Sequence, residues 1–238
     1  MEIKRFKNFI KENNTHKGNF KVDSSMIIDG RFKEGIIPEI IDGDFKCSVL
    51  NLKSLEGGPK EVGGDFKCDF NKLKNLKGGP NKVGGNFDCS DNDLTSLEGC
   101  PVEVSVNFIC HHNYLTNLKG ALTKVGGIFD CSNNLLTSLK GSPISIKGNF
   151  YCVGNQLTSL EGGPKEVEGS LKIVLNINHL NIEADFIKSG FYKNDYWKDL
   201  LNYMIKQRID LDKVEGWPEG FLTNDLISSI KGINKFNL

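Results

Sequence analysis

The 238-residue chain has no apolar run long enough for a bilayer: nowhere do eighteen apolar residues follow one another. The segment MEIKRFKNFIKENN carries charges where a secretory signal would carry an apolar block, so no membrane association is expected. Charge of one sign is also missing. Thirty Lys and Arg face thirty Asp and Glu, which removes the long-range pull of a phosphate backbone. Residues 1–22 hold six Lys or Arg against two Glu, and such a bias reads as a solvated helix face, so a nucleic-acid partner is disfavoured. Cys-x-x-Cys pairs are absent, which argues against a zinc module. No glycine-rich turn leads from a strand into a helix with a following Lys-Ser or Lys-Thr, so a phosphate-binding loop is excluded. The reading is a non-enzyme with no catalytic residue, no metal and no cofactor assigned.

What the chain does have is a repeat. Phe45, Phe66, Phe87, Phe108, Phe129 and Phe150 recur every 21 residues, and Leu171 continues the series. Two positions later come Cys47, Cys68, Cys89, Cys110, Cys131 and Cys152, then Ile173. Asparagines at 71, 92, 113, 134, 155 and 176 lie five after the Phe column, and two leucine columns lie seven and ten after it. Six of the seven prolines share a column, from Pro38 to Pro164, and glycine holds positions 57, 78, 99, 120, 141 and 162.

Each column has a chemical reason. Phe and Cys around one variable residue give the period of two of a strand with one buried face. Asparagine after that strand offers an amide to the backbone of the turn and of the next coil. The glycines mark a backbone angle or close approach that a Cβ would forbid. Proline suits an extended outer arc in which no ladder hydrogen bond is required of it. One coil cannot bury its own face, so coils must stack. The thiol column also admits a reading as a metal or redox array, but its alternation with Phe favours small, soft core side chains, reduced in a reducing cytoplasm.

Phe66-x-Cys68-x-x-Asn71-x-Leu73-x-x-Leu76 resembles the core of the leucine-rich repeat family, and Pro80 with Val83 resembles the arcs of its short bacterial type. The dialect LTSLEGGPKEVGG-x-F-x-C is similar to repeats of tailed bacteriophages and some bacteria. This resemblance implies a leucine-rich repeat solenoid with a parallel sheet on the concave face and extended or irregular convex arcs. It implies a macromolecular partner on the concave side, a host protein if the chain is phage-encoded, acting in the host cytoplasm. It supplies no shared catalytic residue.

Three regions are expected: an N-terminal helical cap with a degenerate first coil over 1–43, the repeat array over 44–182, and a C-terminal helical cap over 183–238. Ile3, Phe6, Phe9 and Ile10 share one helical face, and Tyr192, Tyr196, Trp197, Leu200, Leu201, Met204 and Ile205 recur at helical spacing. Pro38 and Ile41 are in register with the later coils.

The binding surface is expected on strand residues that point away from the core. Lys67, Asp88, Ile109, Asp130 and Tyr151 form one row; Asp69, Ser90, His111, Ser132 and Val153 the next; and Phe70, Asp91, His112 and Asn133 run along the strand ends. Phe70, Ile109 and Tyr151 are candidate anchors in a polar surround, flanked by acids that suit a basic partner patch. The competing reading is capture of a small polar ligand, such as a nucleotide, by the Asp, His, Asn and Tyr set. His111 and His112 beside acids suggest a metal or a proton-transfer pair, but the spacing fixes no third ligand, and solvated surface side chains are the expectation.

Overall fold

The computed structural model describes residues 14–159, 161–177 and 180–186, with side chains to Ile173. Parallel strands spaced 21 residues apart stack as a solenoid of about eight turns. Phe20–Lys21, Phe45–Lys46, Phe66–Lys67, Phe87–Asp88, Phe108–Ile109, Phe129–Asp130, Phe150–Leu157 and Leu171–Ile177 pair in that order as one parallel sheet. Leu180–Phe186 then pairs antiparallel with Leu171–Ile177, closing one edge and crossing the boundary expected at 182.

The outer arc differs from expectation. Around its buried prolines, each coil contributes a second short strand, and these strands pair in parallel ladders: Thr15–His16, Ile40–Ile41, Glu61–Val62, Lys82–Val83 and Glu103–Val104 in one, Lys124–Val125, Ser145–Ile146 and Glu166–Val167 in another. Proline at the arc's bend leaves the ladder bonds to the residues after it, as when Asn81 N–H donates to Lys60 and Gly84 N–H to Val62. The first coil is longer. Phe20 pairs with Phe45 and His16 with Ile41, a spacing of 25, and the hairpin of Ile27–Ile28 with Arg31–Phe32 takes up part of that coil.

Among the described residues the one helical element is the 3-10 turn Ser24–Met26, so they give the expected helical caps no support. The segments expected to be helical, 3–13 and 192–208, lie outside the described residues.

The core lies between the two sets of strands. The Phe column is fully buried, with neighbouring rings from Phe45 to Phe129 stacked at centroid distances of 5.1–5.6 Å. Such offset stacks add to the area each ring buries. Both leucine columns and the Val62 to Val167 column complete the apolar interior. The invariant glycines have positive φ, +81° at Gly78, and a Cβ there would meet the Glu56 nitrogen at 2.5 Å.

The asparagines satisfy the backbone where neither sheet can. Asn113 Oδ1 accepts from Leu94 N–H at 2.9 Å, while its Nδ2 donates to the carbonyls of Cys89, Cys110 and His111 at 3.1–3.2 Å. Asn71, Asn92, Asn134 and Asn155 repeat the pattern. Only an amide both accepts and donates in this way; aspartate has no N–H to give. A further ladder precedes the Phe strands, in which Asp44, Asp65, Asn86 and Asn107 each accept from the backbone N–H one coil on.

Replacing Asn113 by alanine strands one N–H and leaves the carbonyls short of donors in a dry interior, and is expected to cost about 2–4 kcal/mol. A urea midpoint within experimental error of wild type would show the ladder to be dispensable.

All described thiols are free, and burial pushes those of Cys47, Cys68, Cys89, Cys110 and Cys131 above the ordinary 9.0. Cys100 is pushed up to about 12 by the same cause. The unfolded chain therefore loses thiol protons at a lower pH than the folded one, so this contribution to stability is complete below about pH 9 and declines above it. Thermal melts across that range, with alkylation that is slow in the native state and rapid in urea, check the expectation; prompt native labelling would contradict it.

Candidate functional site

Register builds the expected row. Lys67 pairs with Asp88, Asp88 with Ile109, Ile109 with Asp130 and Asp130 with Tyr151, so five side chains from successive coils line up on the outward face of the Phe-strand sheet, each half-buried. Most of their polar groups are engaged locally. Asp88 accepts from the backbone and hydroxyl of Ser90 at 3.1 and 2.6 Å, and Asp130 from the backbone of Ser132 at 2.9 Å. The Tyr151 hydroxyl accepts from Asn149 at 2.6 Å, and Lys67 lies 3.8 Å from Asp65. Ile109 is the wholly apolar member.

The second row is partly withdrawn from the surface. Ser90 and Ser132 are only 4% and 6% exposed, because short side chains between taller neighbours are covered. His111 remains accessible.

The strand-end positions are the least ordinary part of the molecule. Val49, Phe70, Asp91, His112 and Asn133 all have φ between 52° and 60°, and Gly154 continues the column at 65°. After the extended Phe-Cys strand the chain must swing so that the next residue, the ladder asparagine, points inward, and a left-handed residue makes that swing. Ladder bonds hold it there: Phe70, Asp91 and His112 donate their N–H to the carbonyls of Ser90, His111 and Ser132 at 3.1–3.2 Å. Glycine, asparagine, aspartate and, less readily, histidine accept this conformation, whereas valine and phenylalanine carry a cost of about 1–2 kcal/mol. Val49 is 71% exposed and Phe70 58%, so neither recovers that cost by burial.

At the middle of this column three titratable groups meet. His111 Nδ1 lies 2.8 Å from His112 Nδ1 and 3.9 Å from Asp91 Oδ2, and the two rings meet edge to face at 4.9 Å. One imidazole must carry the proton that the other accepts. Asp91, of the preceding coil, is one of several polar residues that the period sets beside the histidine pair, and the geometry singles it out as the third member.

Sequence reasoning also passed over Tyr114 and Leu135, which are 54% and 38% exposed two positions beyond the column. Their signal was present, since the same column elsewhere holds Asn51, Lys72, Asp93 and Gln156.

Among the described residues no helix is long and apolar enough to cross a membrane. No protein family, curated protein or solved structure matches this chain.

Phe70→Asn replaces a strained residue by one that the array itself uses at Asn133. It is expected to raise stability by about 0.5–1.5 kcal/mol, read as a higher urea midpoint at unchanged slope. A lower midpoint would mean that the ring contributes packing worth more than the strain.

Proposed function

We propose that the chain is a non-enzymatic recognition module of the leucine-rich repeat kind, binding a protein through the outward face of its Phe-strand sheet and the adjoining left-handed turns. The observation that carries this reading is the pair Val49 and Phe70: large apolar side chains, exposed, in a backbone conformation that costs free energy to hold. Folding would be better served by asparagine or glycine there, so a benefit outside folding is the natural account of their presence. Ile109 and the ring of Tyr151 extend the apolar ground, and Asp88, Asp91 and Asp130 give it an acidic border suited to a basic partner patch. The kinship to leucine-rich repeats rests on the F-x-C-x-x-N-x-L-x-x-L core, and the phage-like dialect makes a host protein the partner of choice.

The test is a set of four affinity baits, wild type and three variants, compared by mass spectrometry. Proteins retained by the wild type are expected to be lost, or weakened by about 1 kcal/mol or more, with Phe70→Asn and with Tyr151→Ala, at melting temperatures no lower than those substitutions set alone. Val102→Ser alters the most exposed large apolar side chain among the described residues, which adjoins the other sheet, and should leave binding intact. Retention by both site variants together with loss in Val102→Ser would place the interface on the opposite face.

A further inference from the structure

The convergence of Asp91, His111 and His112 carries a second reading, independent of any protein partner. Each offers one ligand atom, and the three atoms lie within 4.8 Å of one another. Successive side chains of an extended strand point to opposite faces, so a His-His pair in a strand would be split between them. The φ of 52° at His112 breaks that alternation and brings its ring beside that of His111, at a Nδ1 to Nδ1 distance of 2.8 Å. The same left-handed geometry one coil earlier presents Asp91 to His111 at 3.9 Å.

The backbone beneath is firmly held. Asp91 N–H donates to the His111 carbonyl at 3.1 Å, Asn113 Nδ2 donates to that same carbonyl at 3.2 Å, and His112 N–H donates to Ser132 at 3.1 Å. These bonds fix the three Cα positions and leave only side-chain torsions to adjust. A zinc ion with bonds of about 2.0–2.2 Å needs its ligand atoms roughly 3–3.6 Å apart, which small rotations of these side chains supply.

We propose that Asp91, His111 and His112 bind one divalent transition-metal ion of zinc-like preference. Two imidazoles and a carboxylate form the donor set of open zinc sites; calcium and magnesium want oxygen ligands throughout. Three protein donors leave coordination positions unfilled, and these open outward, since His112 is exposed and the other two side chains are about 30% exposed. The buried column thiols are poor competitors, because burial holds them protonated.

The test uses the full chain, stripped with a chelator and titrated with Zn2+ by calorimetry, alongside melting curves and the visible spectrum of the Co2+ form. Three substitutions borrow residues that the array already places at equivalent positions: His112→Asn follows Asn133, His111→Ser follows Ser90 and Ser132, and Asp91→Asn suits a left-handed turn. The expected result is one ion per chain, a melting temperature raised by zinc, cobalt bands without thiolate charge transfer, and a loss of affinity greater than about tenfold in each variant. His112→Asn should melt no lower than wild type without metal while losing the zinc-induced rise, which separates loss of a ligand from loss of fold. Absence of saturable binding, unchanged affinity in the variants, or a thiolate-cobalt spectrum would each overturn the assignment.

Discussion

The buried asparagine amide is the interaction on which the architecture depends. Parallel ladders satisfy the backbone where the coil is extended, but between the Phe strand and the first leucine the chain turns inward through an apolar interior. An N–H or carbonyl stranded there would cost about 1–3 kcal/mol. One side chain per coil supplies an acceptor to the coil behind it and donors to carbonyls of both, as Asn92 does for Leu73, Cys68 and Cys89. Because each amide reaches back, the coil with Leu50 in the asparagine column is served by Asn71, which accepts from Leu50 and Leu52 N–H and donates to Cys47. An extra residue inside a coil would move every donor out of reach, which explains the strict period of 21. Where the spacing is 25, in the first coil, the chain includes a two-stranded hairpin between its in-register strands.

Strict register places equivalent residues side by side, which helps rings and harms charges. The phenylalanines stack. Two charged columns alternate over four coils: Glu56, Lys77, Glu98 and Lys119 follow one line along the solenoid, and Glu61, Lys82, Glu103 and Lys124 another; where Lys140 follows Lys119, it pairs onward with Glu161 at 2.7 Å. The resulting contacts, Lys77 to Glu98 at 2.9 Å and Lys82 to Glu103 at 3.2 Å, are exposed and individually weak, but they avoid the repulsion that identical neighbours would produce. Where Lys46 and Lys67 do sit together, each has an aspartate of its own coil within 4 Å, Asp44 and Asp65.

Function and folding make different demands of the same turn. The amide must face inward, so the residue before it must be left-handed, and that residue's side chain projects outward. The array uses Asp91, His112, Asn133 and Gly154 there at little cost, and Val49 and Phe70 at a higher one. The features that distinguish this solenoid from a plain stack are concentrated at that column: an exposed apolar pair at one end, and at its middle Asp91 and His112, which meet His111 of the neighbouring row.

Much of this was written in the one-dimensional pattern. The Phe, Cys, Asn and Leu columns specify a solenoid, the inward set and the outward row from Lys67 to Tyr151, because a fixed period with in-register pairing turns sequence spacing directly into spatial adjacency. The second strand of each coil was less legible: two residues after a proline are too few to show a period of two, and their ladder exists only once neighbouring coils supply its carbonyls. Burial of Ser90 and Ser132 was hidden too, since alternation along the strand places them on the outward face. The meeting of Asp91, His111 and His112 also needed three dimensions. It depends on a left-handed backbone at Asp91 and His112, held by hydrogen bonds from the coil beyond, and a conformation held by a neighbour leaves little local signal in the sequence.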